Sequence, residues 1–284
     1  STILIAVPED APMNARKRTI ATLIALLCLI GLIFTALRYT KAPALHYDNA
    51  YWPEESTLDE RWIWAKTSAG ITYSLYLPEH LRGDAVELGK NAMVPESIPM
   101  IVCFHGSTGK HTAKDRLGRI FTTDMVQNRF GPQGIAVLVP QSRVEYFSDP
   151  HAYSRLIQNI CIQHRVIDPS RIAGYGFSQG AAFVHEMTGY DPFIFRAGMT
   201  GSSYYSSSIR ELFNSARVHY YCALSRNDAG IYEQGLRTAK ILSVLAPHSR
   251  YREYEKRGHF FVEMHDTTGR GDETALDWLV DALE

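Results

Sequence analysis

From about residue 58 the apolar positions alternate between two periods. RWIWAKT and ITYSLYLP are rich in β-branched and aromatic residues and are bounded by Gly70 and Pro78, which predicts a pair of early strands. PMIVCFHG and IAVLVPQS are short, continuously apolar runs, as expected of central parallel strands covered on both faces. Between them and the next strand, residues 151–166 place Leu156, Ile157, Ile160 and Cys161 at helical spacing. A turn at Asp168-Pro169-Ser170 then feeds the strand IAGYGF. FRAGMTG, VHYYCALS and SRYREYEKRGH follow as strands, with helices at 231–244 and near 273–283. This alternation predicts an α/β domain over 58–284, with a mostly parallel central sheet and helices on both faces. The stretch between FRAGMTG and VHYYCALS is too short for a large lid domain.

The N-terminal part reads differently. Residues 1–18 form a polar tail, and 19–37 (TIATLIALLCLIGLIFTAL) carry no charge. That run approaches the roughly 20 apolar residues that span a bilayer, so a transmembrane anchor is expected. Ala42-Pro43-Ala44 keeps signal cleavage, and hence secretion, open as the alternative. Arg16, Lys17 and Arg18 precede the run and point to an extracytoplasmic catalytic domain, although Arg38 and Lys41 flank its other end. Residues 38–57 read as a linker.

Composition narrows the partners. A formal net charge of -1 gives no electrostatic footprint for nucleic acid. Four scattered cysteines suit buried free thiols better than a disulfide framework or a zinc cluster. No cofactor or metal is expected. HGSTGKHT lacks the first glycine of a phosphate-binding loop, and His259, Glu263 and His265 lack the spacing of a helical zinc motif.

The chemistry concentrates in RIAGYGFSQGAAF. Gly176-Phe177-Ser178-Gln179-Gly180 fits G-x-S-x-G, with a strand before it and a helix-forming run after it. Such a turn lifts the serine hydroxyl clear of the sheet and needs bare positions on either side, where strand and helix approach closely. A serine nucleophile needs a base, and the expected order is serine, acid, histidine. Asp228, in the loop after VHYYCALS, is the candidate acid; its competing role is to cap the following helix. His259 follows Gly258 at the carboxyl edge and is the candidate base, whereas His248 precedes its strand. The backbone N–H groups of Gln179 and Ser107 are the candidate oxyanion donors, with Gly106 permitting the close turn. His105 is expected to brace that loop. Tyr204 and Tyr205 are expected to line an open cleft for substrate.

With these parts in order, residues 60–284 resemble the α/β-hydrolase superfamily. GFSQGAA after IDPSRI is similar to the phospholipase/carboxylesterase and acyl-protein thioesterase branch, and ITYSLYLP with HGSTG to polyhydroxybutyrate depolymerases and feruloyl esterases. The acid loop SRND lacks the histidine-glycine pair frequent in those relatives, and Ala181 replaces their second glycine. The resemblance implies a serine esterase with Ser178, Asp228 and His259 as its triad, acting on small-molecule or polymeric esters. A thioesterase or peptidase with the same triad, and a non-catalytic binding module, remain alternatives.

Overall fold

The computed structural model describes residues 21–26, 62–67, 70–78, 81, 97–107, 130–205, 208–246, 248–255, 258–259 and 275–284. The chain divides into two units, Ser1–Lys41 and Ala42–Glu284. In the first, the described residues 21–26 are helical. No helix among the described residues is long and apolar enough to cross a membrane, and most of the 19–37 run lies outside them. The tail 1–18 and the linker 38–57 also lie outside the described residues.

The second unit is built on an eight-stranded sheet. Its strands are β1 (Trp62–Lys66), β2 (Thr72–Tyr76), β3 (Ile98–Phe104), β4 (Ala136–Pro140), β5 (Ile167–Phe177), β6 (Ala197–Gly201), β7 (His219–Ser225) and β8 (Arg250–Tyr254). The spatial order is β1-β2-β4-β3-β5-β6-β7-β8. β1–β2 and β2–β4 pair antiparallel, and every pair from β4 to β8 is parallel. The α-helices of this unit among the described residues are α1 (Pro150–Gln163), α2 (Gln179–Tyr190), α3 (Ile209–Ser215), α4 (Tyr232–Leu245) and α5 (Ala275–Asp281).

The period of two along each strand splits the core between the faces of the sheet. Met100, Val102 and Phe104 of β3 join Phe183, Met187 and Leu242 in one apolar cluster with Leu156 and Ile160. Ile101 and Cys103 point the other way and meet Tyr175, Met199 and the α5 residues Leu276, Trp278 and Leu279. The burial of both faces explains why the central strands read as unbroken apolar runs. Cys103 and Cys222 are buried free thiols, and Cys161 is a half-buried one.

One expectation is corrected here, and one short helix is added. Asp168-Pro169-Ser170 does not precede β5 as a separate turn; it lies within the strand, where the pairing with β3 shifts register between Ile98 and Met100. The local irregularity accommodates a proline at a position that a regular central strand would exclude. The connection from β6 to β7 also contains α3, which begins with a capping box: Ser208 and Glu211 each bond the other's backbone.

Candidate active site

Parallel strands β3 to β8 all end at the same edge, and the loops after β3, β5, β6, β7 and β8 meet there. β5 runs directly into α2 through Ser178, whose backbone takes φ 55 and ψ -118. This is a sparsely populated conformation for a residue with a side chain, costing on the order of 1–3 kcal/mol unless the surroundings hold it. They do hold it: the Ser178 N–H donates to the carbonyl of Gly201 at 2.8 Å, and its carbonyl accepts from Ala182 N–H at 3.0 Å.

The bare positions around the serine have a direct cause. A Cβ on Gly176 would sit 2.2 Å from the carbonyl oxygen of Gly180, and one on Gly180 would sit 2.0 Å from that of Phe104. Backbone meets backbone at both positions, so neither clash is relieved by moving a side chain. Gly106 lies against the serine from the other side, where an added Cβ would be 3.4 Å from the Ser178 Cβ. Ser107 is therefore the next residue along a loop already in contact with Ser178. The N–H of Gln179 heads α2, where it has no acceptor within the helix.

Ser178, His259 and Asp228 converge into one hydrogen-bonded series. The Ser178 Oγ is 2.8 Å from His259 Nε2, a contact between residues 81 apart in sequence. On the other side of the ring, His259 Nδ1 is 2.9 Å from Asp228 Oδ2. With the Asp228 carboxylate accepting, Nδ1 carries the ring proton and Nε2 is left to accept from the serine hydroxyl. The aspartate is buried and the imidazole partly exposed. The Asp228 side chain does not cap α4; the N-cap residue is Ile231, which makes no side-chain cap bond.

The histidine loop is held through Gly258 and through Asn227, Ser202 and Phe177, three residues with no role expected from the sequence. Gly258 takes φ 70, a left-handed turn suited to glycine, and its N–H donates to Asn227 Oδ1 at 2.7 Å. Asn227 Oδ1 also accepts from Ser225 Oγ at 2.8 Å. Ser202, itself at φ 48, donates from Oγ to the carbonyl of His259 at 3.0 Å. The ring of Phe177 meets the His259 imidazole edge-on at 5.8 Å. A serine after a strand-ending glycine and an asparagine beside the acid are faint local signals for these roles.

His105 braces its loop as expected. The N–H of Ser142 donates to its Nε2 at 3.1 Å, which leaves Nδ1–H to donate to the Gly106 carbonyl at 2.7 Å. Tyr204 is half-buried in the loop after β6. Tyr205 stacks on His185 at 5.9 Å, and its hydroxyl donates to Glu211 at 2.8 Å, so its polar end is engaged with α3. His248 pairs with His219, the first residue of β7, at a ring distance of 4.8 Å, which puts it at the opposite edge of the sheet. Glu263 and His265 lie outside the described residues, and no group of three or more metal-ligating side chains occurs among the described ones.

No family model matches the sequence, and no curated protein matches it. Solved structures do share the fold. A ferulic acid esterase aligns with 78% of this chain and 93% of its own, at 12% identity and a TM-score of 0.52. The S-formylglutathione hydrolase from Agrobacterium tumefaciens aligns over 81% and 99%, at 13% identity and a TM-score of 0.51. A thermostable esterase aligns over 78% of this chain at 18% identity and a TM-score of 0.51; the chain spans 60% of that protein's length. At such identities the likeness is one of fold, and together with the strand order it gives the chain the α/β-hydrolase fold.

Proposed function

We propose that this chain is a serine hydrolase that cleaves carboxylic esters through an acyl-enzyme intermediate. The observation that carries the reading is the unbroken series from the Ser178 hydroxyl through His259 to Asp228 at a strained strand-to-helix turn. A free serine hydroxyl is almost never ionised near neutral pH, so it needs a base within hydrogen-bond reach. His259 Nε2 takes its proton as Oγ attacks the ester carbonyl, and Asp228 stabilises the imidazolium that forms. The same imidazolium then gives its proton to the departing alcohol. Water repeats the cycle on the acyl-enzyme, releasing the acid and restoring Ser178.

Negative charge grows on the carbonyl oxygen during both attacks. The N–H groups of Gln179 and Ser107 are the donors proposed to receive it, and the positive end of α2 adds to them. Tyr204 and Tyr205, both half-buried in the loop after β6, are the candidates to line the cleft. The names of the two esterases sharing the fold support an ester as substrate, while that of the S-formylglutathione hydrolase fits the thioester alternative. The short β6–β7 connection favours open access for small-molecule or polymeric esters.

Hydrolysis of an aryl-ester panel of varied acyl length tests this reading. Turnover by the parent protein and its loss in Ser178→Ala, with an unchanged melting temperature, is the expected result. Faster turnover of matched thioesters or amides would redirect the substrate class, and an inert parent would reject the reading. The charge-free run 19–37 and the basic trio before it further support a membrane anchor with the catalytic unit outside the cytoplasm. Release of the full chain from membranes by carbonate at high pH would reject the anchor.

A further inference from the structure

Gln179 follows the nucleophile directly, yet its side chain faces neither solvent nor the histidine. It is buried, and both ends of its amide are bonded to one residue 32 positions away. Oε1 accepts from the Phe147 N–H at 2.8 Å, and Nε2 donates to the Phe147 carbonyl at 2.9 Å. The pair imitates the exchange of two hydrogen bonds between neighbouring strands. Fixing a long side chain costs conformational entropy that roughly offsets two such bonds, so orientation rather than stability is what the clamp contributes.

The object it orients is the peptide between Ser178 and Gln179. The ψ of Ser178, -118 in a backbone already strained at φ 55, sets the direction of the Gln179 N–H. Gly201 restrains this turn from the serine side through the Ser178 N–H. The clamp on Phe147 restrains it from the other side. Phe147 is a firm anchor: its ring lies 5.1 Å from Phe104, 5.2 Å from Phe183 and 4.5 Å from His105. The same 142–147 segment is tied at its start to His105, and through it to Gly106, the residue before Ser107. One segment thus reaches the loops that carry both oxyanion donors.

We propose that the Gln179 side chain is a positioning residue for the oxyanion site, holding its own backbone N–H in line by gripping Phe147. The inference rests on the ester-hydrolase reading and adds to it a residue that acts through geometry alone. Two variants of the full chain test it. Gln179→Met removes both bonds at similar length. Gln179→Glu keeps an acceptor for the Phe147 N–H but sets a carboxylate oxygen against the Phe147 carbonyl.

Steady-state hydrolysis of an aryl ester should show kcat reduced by about 10–100-fold in Gln179→Met with KM within about twofold, a partial version of losing one oxyanion donor outright. The ratio of Gln179→Glu to parent activity should rise as pH falls towards 5, because a protonated carboxyl regains the donor. An active parent with an unchanged kcat in Gln179→Met overturns the inference and leaves the hydrolase reading intact. So does a loss of rate that only follows loss of folded protein in both variants. An inert parent overturns both.

Discussion

Two histidines of this chain, one partly exposed and one buried, show how differently one side chain can be used. At the carboxyl edge of the sheet, His259 has a partner on each ring nitrogen and a loop pinned by Ser202 and Asn227. On α2, His185 is buried between the rings of Tyr205 and Tyr220, and its Nδ1 has no hydrogen-bond partner among the described residues. Burial pushes the His185 pKa down to about 3, so it stays a neutral packing element. Directed partners on both nitrogens of a partly exposed imidazole suit it to the proton exchange proposed for it, whereas burial among aromatic faces keeps His185 neutral.

The sharpest way to break this contrast is at Asp228. Asp228→Asn keeps the shape but offers a donor where Nδ1–H needs an acceptor, favouring the wrong tautomer of His259. A drop in kcat of about 10⁴-fold is expected in ester hydrolysis, with little change in melting temperature. A change in stability with activity retained would return Asp228 to a structural role.

A smaller effect is expected at Asn227. Asn227→Ala removes the acceptor of the Gly258 N–H and frees the histidine loop without touching the imidazole. A fall in kcat/KM of about tenfold, measured on the same ester, is expected from a base held less well in line. Equal activity would show that Ser202 and the packing of Phe177 suffice.

The smallest effect lies at the other pole of the comparison. The unfolded chain protonates His185 below about pH 6.5, whereas the native state resists until about 3. The unfolded state therefore binds more protons in that window, and stability falls as pH drops through it. Glu186, pushed up to about 7 by burial and by Glu211 and Asp149, carries the opposite sign. The difference between His185→Leu and the parent isolates the histidine. Urea melts should show that difference moving by about 2 kcal/mol in favour of the leucine between pH 7.5 and 5, with ester hydrolysis retained. A constant difference would mean that His185 reaches solvent.

Local pattern explains why some of this was legible in the sequence. The continuous apolar runs of β3 and β4, the period of α1 and α4, and glycines spaced around Ser178 are all short-range marks of their structural causes. The order of Ser178, Asp228 and His259 is readable too, because each follows a strand that ends at the same edge. What escaped depends on distant contacts. Nothing near Gln179 announces Phe147, and nothing near Ser202 announces the carbonyl of His259. α3 is a single short helix whose capping box sits in a run of serines, and the Pro169 segment reads as a turn until the register shift against β3 is seen. The bond from the Tyr205 hydroxyl to Glu211 on α3 is equally invisible from the residues around either partner.

On the proposed mechanism, His259 makes the Ser178 hydroxyl reactive. A fluorophosphonate probe, with the adduct located by peptide mass mapping, measures this directly. One adduct on Ser178 in the parent chain is predicted, forming at least about 10³-fold more slowly in His259→Ala. An adduct elsewhere, or equal labelling of Ser178 without the imidazole, would contradict the account.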